Sequence, residues 1–145
     1  MKYLYAIFLL TFILLPFESH AIKVVDGDTL KIDDVVVRLH GIDAPEPHQQ
    51  CKRYGRPYPC GKEAEAKLRE LVTEKTSCII KGVDPRDNIL SVCRDGDVDI
   101  NAEMVKNGYA LAARNHYKKE ENDARKHHRG IWKGSFDHPQ FYITR

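Results

Sequence analysis

Between positions 26 and 46 the chain carries six acidic residues and only two basic ones, Lys31 and Arg38. Four of the acids stand in turn-forming or loop-forming sequences: Asp26 and Asp28 in Asp-Gly-Asp-Thr, Asp43 and Glu46 in Asp-Ala-Pro-Glu. Asp33-Asp34 reads as a plain tight turn. Taken singly, each of these acids is an ordinary turn residue. Together they matter, because carboxylates gathered at neighbouring loop ends repel one another unless a cation joins them. All-oxygen ligation favours a hard ion, Ca²⁺ or Mg²⁺. Arg38 lies in the stretch leading straight into the second acidic loop. A cation, an arginine and a spare carboxylate are the parts that phosphodiester cleavage requires.

The elements around these loops read as short strands first and helices later. Ile22–Val25, Thr29–Ile32 and Val35–Leu39 form a β-prone meander, turned at Asp26-Gly27 and Asp33-Asp34. Gly41–Pro47, with two prolines, is a loop. Residues 49–60 form a basic, aromatic loop containing Lys52, Arg53, Tyr54, Arg56 and Tyr58. Ala64, Leu68, Leu71 and Val72 then share one helical face. Thr76–Lys81 and Ile89–Arg94 make a hairpin. Asn101 is the expected N-cap of a helix over 102–107 ending at Gly108, and a last helix runs over about 117–129. The order predicts an α+β fold with a small barrel as its core; a five-stranded OB-type β-barrel fits the strand count, and propensity alone does not tell it from an open sheet.

Lys2, the apolar run Leu4–Leu15 and the small residues around Ala21 read as a signal peptide over 1–21, leaving a domain of 22–145. Twelve helical residues reach about 18 Å, short of a hydrocarbon core of roughly 30 Å, so no stable membrane association is expected after cleavage. Export to the periplasm or beyond agrees with the even number of cysteines. A hairpin centred on the turn at 83–88 sets Cys78 opposite Cys93, leaving Cys51 to close a short loop with Cys60. The spacing does not match a zinc knuckle. A length of 145 residues, 42% hydrophobic, with net charge +2, excludes a disordered chain and a strongly basic nucleic-acid coat protein.

Val25-Asp26-Gly27-Asp28-Thr29 followed by Val37-Arg38-Leu39-His40-Gly41-Ile42-Asp43-Ala44-Pro45-Glu46 resembles the staphylococcal nuclease, or thermonuclease, family. The resemblance continues through Gly61-Lys62-Glu63-Ala64, Asp99-Ile100-Asn101-Ala102-Glu103-Met104-Val105 with Gly108-Tyr109-Ala110, and Ala124-Arg125 with Gly130-Ile131-Trp132, and so covers nearly all of 22–135. The four cysteines and the tail from Trp132 to Phe136 look like a secreted bacterial branch. The resemblance implies a five-stranded OB-type β-barrel with three helices and Ca²⁺-dependent hydrolysis of DNA and RNA; separately, nothing in the sequence argues against a monomer. Asp28, Asp43 and the backbone oxygen of Ala44 would hold the metal, with Asp26 behind them. Glu46 would orient or deprotonate the attacking water, and Arg38 would hold the phosphate.

One position departs from the family pattern. The family carries a second arginine in the turn before the strand of Leu90, and here that position is Asn88. Asparagine carries no charge and cannot clamp a phosphate bidentately. Arg86 is a weak substitute two residues upstream, with Asp87 beside it. The alternative is therefore a catalytically weakened, secreted OB-fold protein that binds nucleic acid. Further contacts are expected from the 52–58 loop and from the basic stretch Arg114–Lys133, which holds seven Lys or Arg against three acids. His127 and His128 read as a surface pair and Trp132 as core; His40 and His48 flank the site without a role.

Overall fold

The computed structural model describes residues 21–142. The expected signal peptide, except Ala21, lies outside them. The meander consists of β1 (Ile22–Val24), β2 (Thr29–Ile32) and β3 (Val35–Leu39), all antiparallel. After it come β4 (Ile42–Asp43), β5 (Cys51–Arg53), β6 (Arg56–Tyr58) and helix α1 (Cys60–Leu71). The second half holds β7 (Thr76–Val83), β8 (Ile89–Asp95), β9 (Val98–Asp99), α2 (Ile100–Lys106), β10 (Leu111–Ala112), α3 (Lys118–Lys126) and β11 (Gly134–Ser135). Short 3₁₀ turns occupy Gly130–Lys133 and Pro139–Phe141.

The main sheet runs β1-β2-β3-β8-β7, with β9 on the far part of β8. Its single parallel pair, β3 with β8, needs the long crossover that α1 and β7 supply. The mixed sheet curls into an OB-type half-barrel accompanied by three helices, α1 and α2 against the sheet and α3 packed on α2. Its core gathers Leu30, Val37 and Leu39 from the sheet, Ala64 and Leu68 from α1, and Ile100, Met104 and Val105 from α2.

Cys78 lies directly opposite Cys93, as the hairpin register requires, and both disulfides are formed: Cys78–Cys93 and Cys51–Cys60. A register shift between Ile80 and Gly82 lengthens β7 past the expected end at Lys81. The 49–60 stretch is not a loop but the hairpin β5–β6, turned at Tyr54 and Gly55, both at positive φ. Pro57 masks the strand signal, yet β6 is an edge strand, where a missing N–H costs little. That hairpin also pairs with β11 and covers a second small core of Cys51, Cys60, Leu111 and Ile131, on which Tyr58, Trp132 and Phe136 pack. The aromatic tail thus folds back as expected.

Asp99, not Asn101, caps α2: its carboxylate accepts from the Ala102 N–H at 2.9 Å. Asn101 is fully buried and links three segments instead. Its amide donates to the carbonyls of His40 and Ser91, and its Oδ1 accepts from the Cys93 N–H. Helix α3 is shorter than expected, because Tyr117 sits in the left-handed region before it and His127 and His128 follow its end.

Candidate active site

The two acidic loops meet because β2 and β3 are adjacent. Thr29 pairs with Arg38, so the turn before β2 and the guanidinium on β3 share one edge of the barrel. Asp26 shapes that turn by accepting from the Asp28 N–H at 3.0 Å. Gly27 lets it sit close, since a Cβ there would lie 2.8 Å from the Cβ atoms of Ala44 and Ala64. The second loop is fixed by a short strand too small to show in the sequence: β4 pairs with β10, setting Asp43 opposite Leu111. Gly61, at the start of α1, gives the loop room, because a Cβ there would run into the Glu46 carbonyl oxygen.

Asp28 is the buried centre of the site, 5% exposed. Its Oδ2 accepts from the Ala44 N–H at 3.0 Å and from Arg38 Nη2 at 3.2 Å, and its Oδ1 from the Thr29 hydroxyl at 3.2 Å. The same Arg38 Nη2 reaches Asp43 Oδ1 at 3.3 Å. The guanidinium therefore bridges the two aspartates. Glu46 stands across a hollow of about 70 Å³ that Asp26, Asp28, Arg38 and Ala44 also line. Of the expected site residues, these six come together.

Electrostatics in this cluster is unbalanced: four carboxylates face one arginine. Burial pushes the Asp28 carboxyl up to about 7, against the pull of Arg38 and with a further push from Asp26 and Asp43. Burial likewise raises Asp43 against Arg38 and His138, and raises Glu46 against Arg38 and Arg86. Burial disfavours the charge on Arg38, but Asp28, Asp43 and Glu46 together outweigh it and hold the guanidinium above its ordinary range. Such a site gains from one more positive charge. Among the described residues no three His, Cys, Asp or Glu side chains converge as a ready metal centre. The donors that do gather are hard oxygens, and the hollow has the volume of a small ion with one or two waters at roughly 30 Å³ each. Asp26, Asp28 and Glu46 line that hollow, while Asp43 lies on the cleft side of Arg38; oxygen donors of this kind suit a hard divalent cation.

A wider cleft of about 570 Å³ opens beside Arg38 and Asp43, lined also by Asp84, Arg86, Arg114 and His138. Asn88 offers it nothing: its side-chain amide donates to Asp84 Oδ2 at 2.9 Å and its N–H to Asp84 Oδ1 at 2.9 Å. Arg86 does line the cleft. In the basic hairpin, Arg53 is committed elsewhere: it pairs with Glu63 at 2.9 Å and lies over the Tyr58 ring at 4.0 Å, while Lys52, Arg56 and the tip residue Tyr54, 86% exposed, face solvent. Much of the basic stretch is also engaged: Arg125 lies over Trp132 at 4.2 Å and Arg129 pairs with Asp123 at 2.6 Å. Arg114 alone of that stretch lines the cleft. His40 packs on His116 at 4.5 Å between ring centroids, and burial beside that second imidazole lowers its basicity. His138 carries no motif in the sequence; only the fold brings it to Asp43.

Residues 36–134 match the family model described as staphylococcal nuclease homologue. The chain is 30% identical over 124 residues to the succinoglycan biosynthesis protein ExoI of Rhizobium meliloti (strain 1021), an alignment covering 80% of this chain and 65% of that protein. It is 32% identical over 120 residues to the probable endonuclease LCL3 of Candida dubliniensis, covering 71% of this chain and 49% of that protein, and 31% identical to the same-named protein of Candida albicans. The chain thus spans between about half and two thirds of the length of these relatives.

Proposed function

The chain belongs to the staphylococcal nuclease homologue family, and from that premise we propose that it is an exported, Ca²⁺-dependent nuclease that hydrolyses phosphodiester bonds of DNA and RNA. The observation that carries this reading is the Arg38 guanidinium set between Asp28 and Asp43 at the mouth of the cleft, with Glu46 across the hollow. Relatives named as probable endonucleases support it. Asp28, Asp43 and the Ala44 carbonyl would hold the ion, and Asp26 fixes the turn that presents Asp28. When bound, Ca²⁺ supplies Lewis-acid polarisation of a phosphate oxygen. Arg38 binds the phosphate and offsets the charge that builds on it in the transition state. Glu46 orients the attacking water and accepts its proton; burial, which raises its carboxyl, suits it to that task. Two disulfides support an oxidising destination, periplasmic or extracellular. No helix among the described residues is long and apolar enough to cross a membrane. The protein acts as a monomer.

A second reading rests on Asn88. Its amide is spent on Asp84, so the site has one phosphate clamp rather than two. That favours a slow enzyme or a protein that binds nucleic acid without turnover. The test is cleavage of plasmid and single-stranded DNA and of RNA by the purified, oxidised protein, with Ca²⁺, with Mg²⁺ and with chelator. The nuclease reading expects Ca²⁺-dependent product that Glu46→Gln lowers by about 10²–10⁴. Binding that survives chelator, with no product under any condition, overturns it in favour of the second reading.

A further inference from the structure

The last described segment, residues 136–142, lies beyond the stretch that the family model matches. It is tied to both acidic groups of the site. Gln49, fully buried, accepts from the Glu46 N–H at 3.1 Å through its side-chain oxygen, and its backbone N–H donates to the Glu46 carbonyl at 2.8 Å. Its side-chain amide donates at 2.7 Å to the carbonyl of Asp137. One side chain thus joins the Glu46 turn to the tail. The next residue, His138, brings Nδ1 to 3.7 Å from Asp43 Oδ2. That nitrogen is buried and has no hydrogen-bond partner, and Pro139 behind it is buried too. Arg38 already occupies the other oxygen, Asp43 Oδ1. His138 therefore faces the oxygen that Arg38 leaves open, while its ring and Gln140 form part of the cleft wall.

A buried ring nitrogen without a partner calls for a reason. We propose that residues 136–142 are a strap that completes the site, and that His138 is a positioning residue holding Asp43 Oδ2 through Nδ1–H, so that the carboxylate presents itself to the cation. The contact closes with a movement of about 0.5–1 Å, from 3.7 Å into hydrogen-bond range. Nδ1–H donates whether the ring is neutral or charged, so no change of charge is required. Carboxylates held from behind in this way bind metal about 10–100-fold better than unsupported ones.

The inference rests on the proposed Ca²⁺ site, and its test does not depend on cleavage. Ca²⁺ alone is titrated calorimetrically into the full oxidised protein, its His138→Ala variant and its His138→Asn variant, with melting temperatures measured alongside. The expected result is a Ca²⁺ affinity about 10–100-fold weaker in His138→Ala, partly recovered in His138→Asn, whose amide can still donate, with little change in melting temperature. In cleavage assays the deficit of His138→Ala closes as Ca²⁺ is raised. The His138 ¹⁵N shifts report a Nδ1–H tautomer whose preference is lost in Asp43→Ala, which removes the acceptor. Unchanged Ca²⁺ affinity in His138→Ala overturns the strap while leaving the nuclease reading standing. A wild type whose Ca²⁺ affinity falls on His138→Ala but which cleaves nothing sinks the nuclease reading and leaves the strap. A wild type that binds no Ca²⁺ overturns the strap whatever it cleaves.

Discussion

Two turns stand on either side of Arg38, one lining the hollow and one the cleft, and both are built on the same device. In each, an aspartate accepts hydrogen bonds from backbone N–H groups just ahead of it: Asp26 from Asp28, and Asp84 from Arg86 and Asn88. Their consequences are opposite. The first turn aims its next carboxylate inward, where Asp28 is buried and pushed up to about 7. The second turns upon itself. Asp84 is satisfied by the Asn88 side chain, then by backbone N–H groups, and is held below the usual carboxylate range. A capped turn can therefore store unfavourable charge for chemistry or spend its polar groups on its own stability. Burial decides which, because only the first turn packs against Ala44 and helix α1.

The largest break in this contrast comes at Asp28. Asp28→Asn removes the charge that the fold disfavours and that the reaction needs. We expect cleavage to fall by at least about 10², while the protein melts no lower than wild type at neutral pH. Calorimetry beside a rate measurement checks both halves. Asn88→Arg works on the other turn. It adds a second cation beside the cleft and gives up the side-chain bond to Asp84. Cleavage should rise about tenfold or more, with a lower melting temperature. A fall in rate with an intact fold would show that the second clamp has no place in this cleft. Smaller still is Arg114→Gln at the rim. It should raise KM several-fold, leave kcat alone and lower the salt slope of DNA binding by about one.

The sequence showed the buried turn better than the self-satisfied one. Asp-Gly-Asp-Thr, Arg38 and Asp-Ala-Pro-Glu are local signals, and the meander between them is β-branched, so both the site and the strands bearing it were readable. The Cys78–Cys93 pair was readable because hairpin register is arithmetic. What stayed hidden depends on contacts across long separations. β4 and β10 are two residues each and exist only through each other. Asn101 looked like a cap, but its amide serves His40, which is 61 residues away. Arg53 and Tyr58 looked available to nucleic acid because Glu63 and the ring stacking are tertiary facts. His138 is 95 positions from Asp43, and no local pattern announces the meeting.

The smallest effect tests whether the second turn is only structural. Asp84 has its folded pKa depressed by Asn88 first and the backbone N–H groups after it. A depressed carboxyl contributes stability that is fully present above its unfolded value, about 3.9, and is lost as pH falls through the lower folded value. Asp84→Ala should therefore lower the melting temperature slightly at pH 7, and the difference from wild type should fade as pH drops below about 3.9. Its Ca²⁺ affinity should match wild type, since Asp84 contacts Asn88 and Arg86 rather than the oxygens gathered at Asp28. A stability gap that persists unchanged below that range would mean that the turn is held by shape, not by the charge on Asp84. A weakened Ca²⁺ site would mean that the two turns, alike in construction, also share a function.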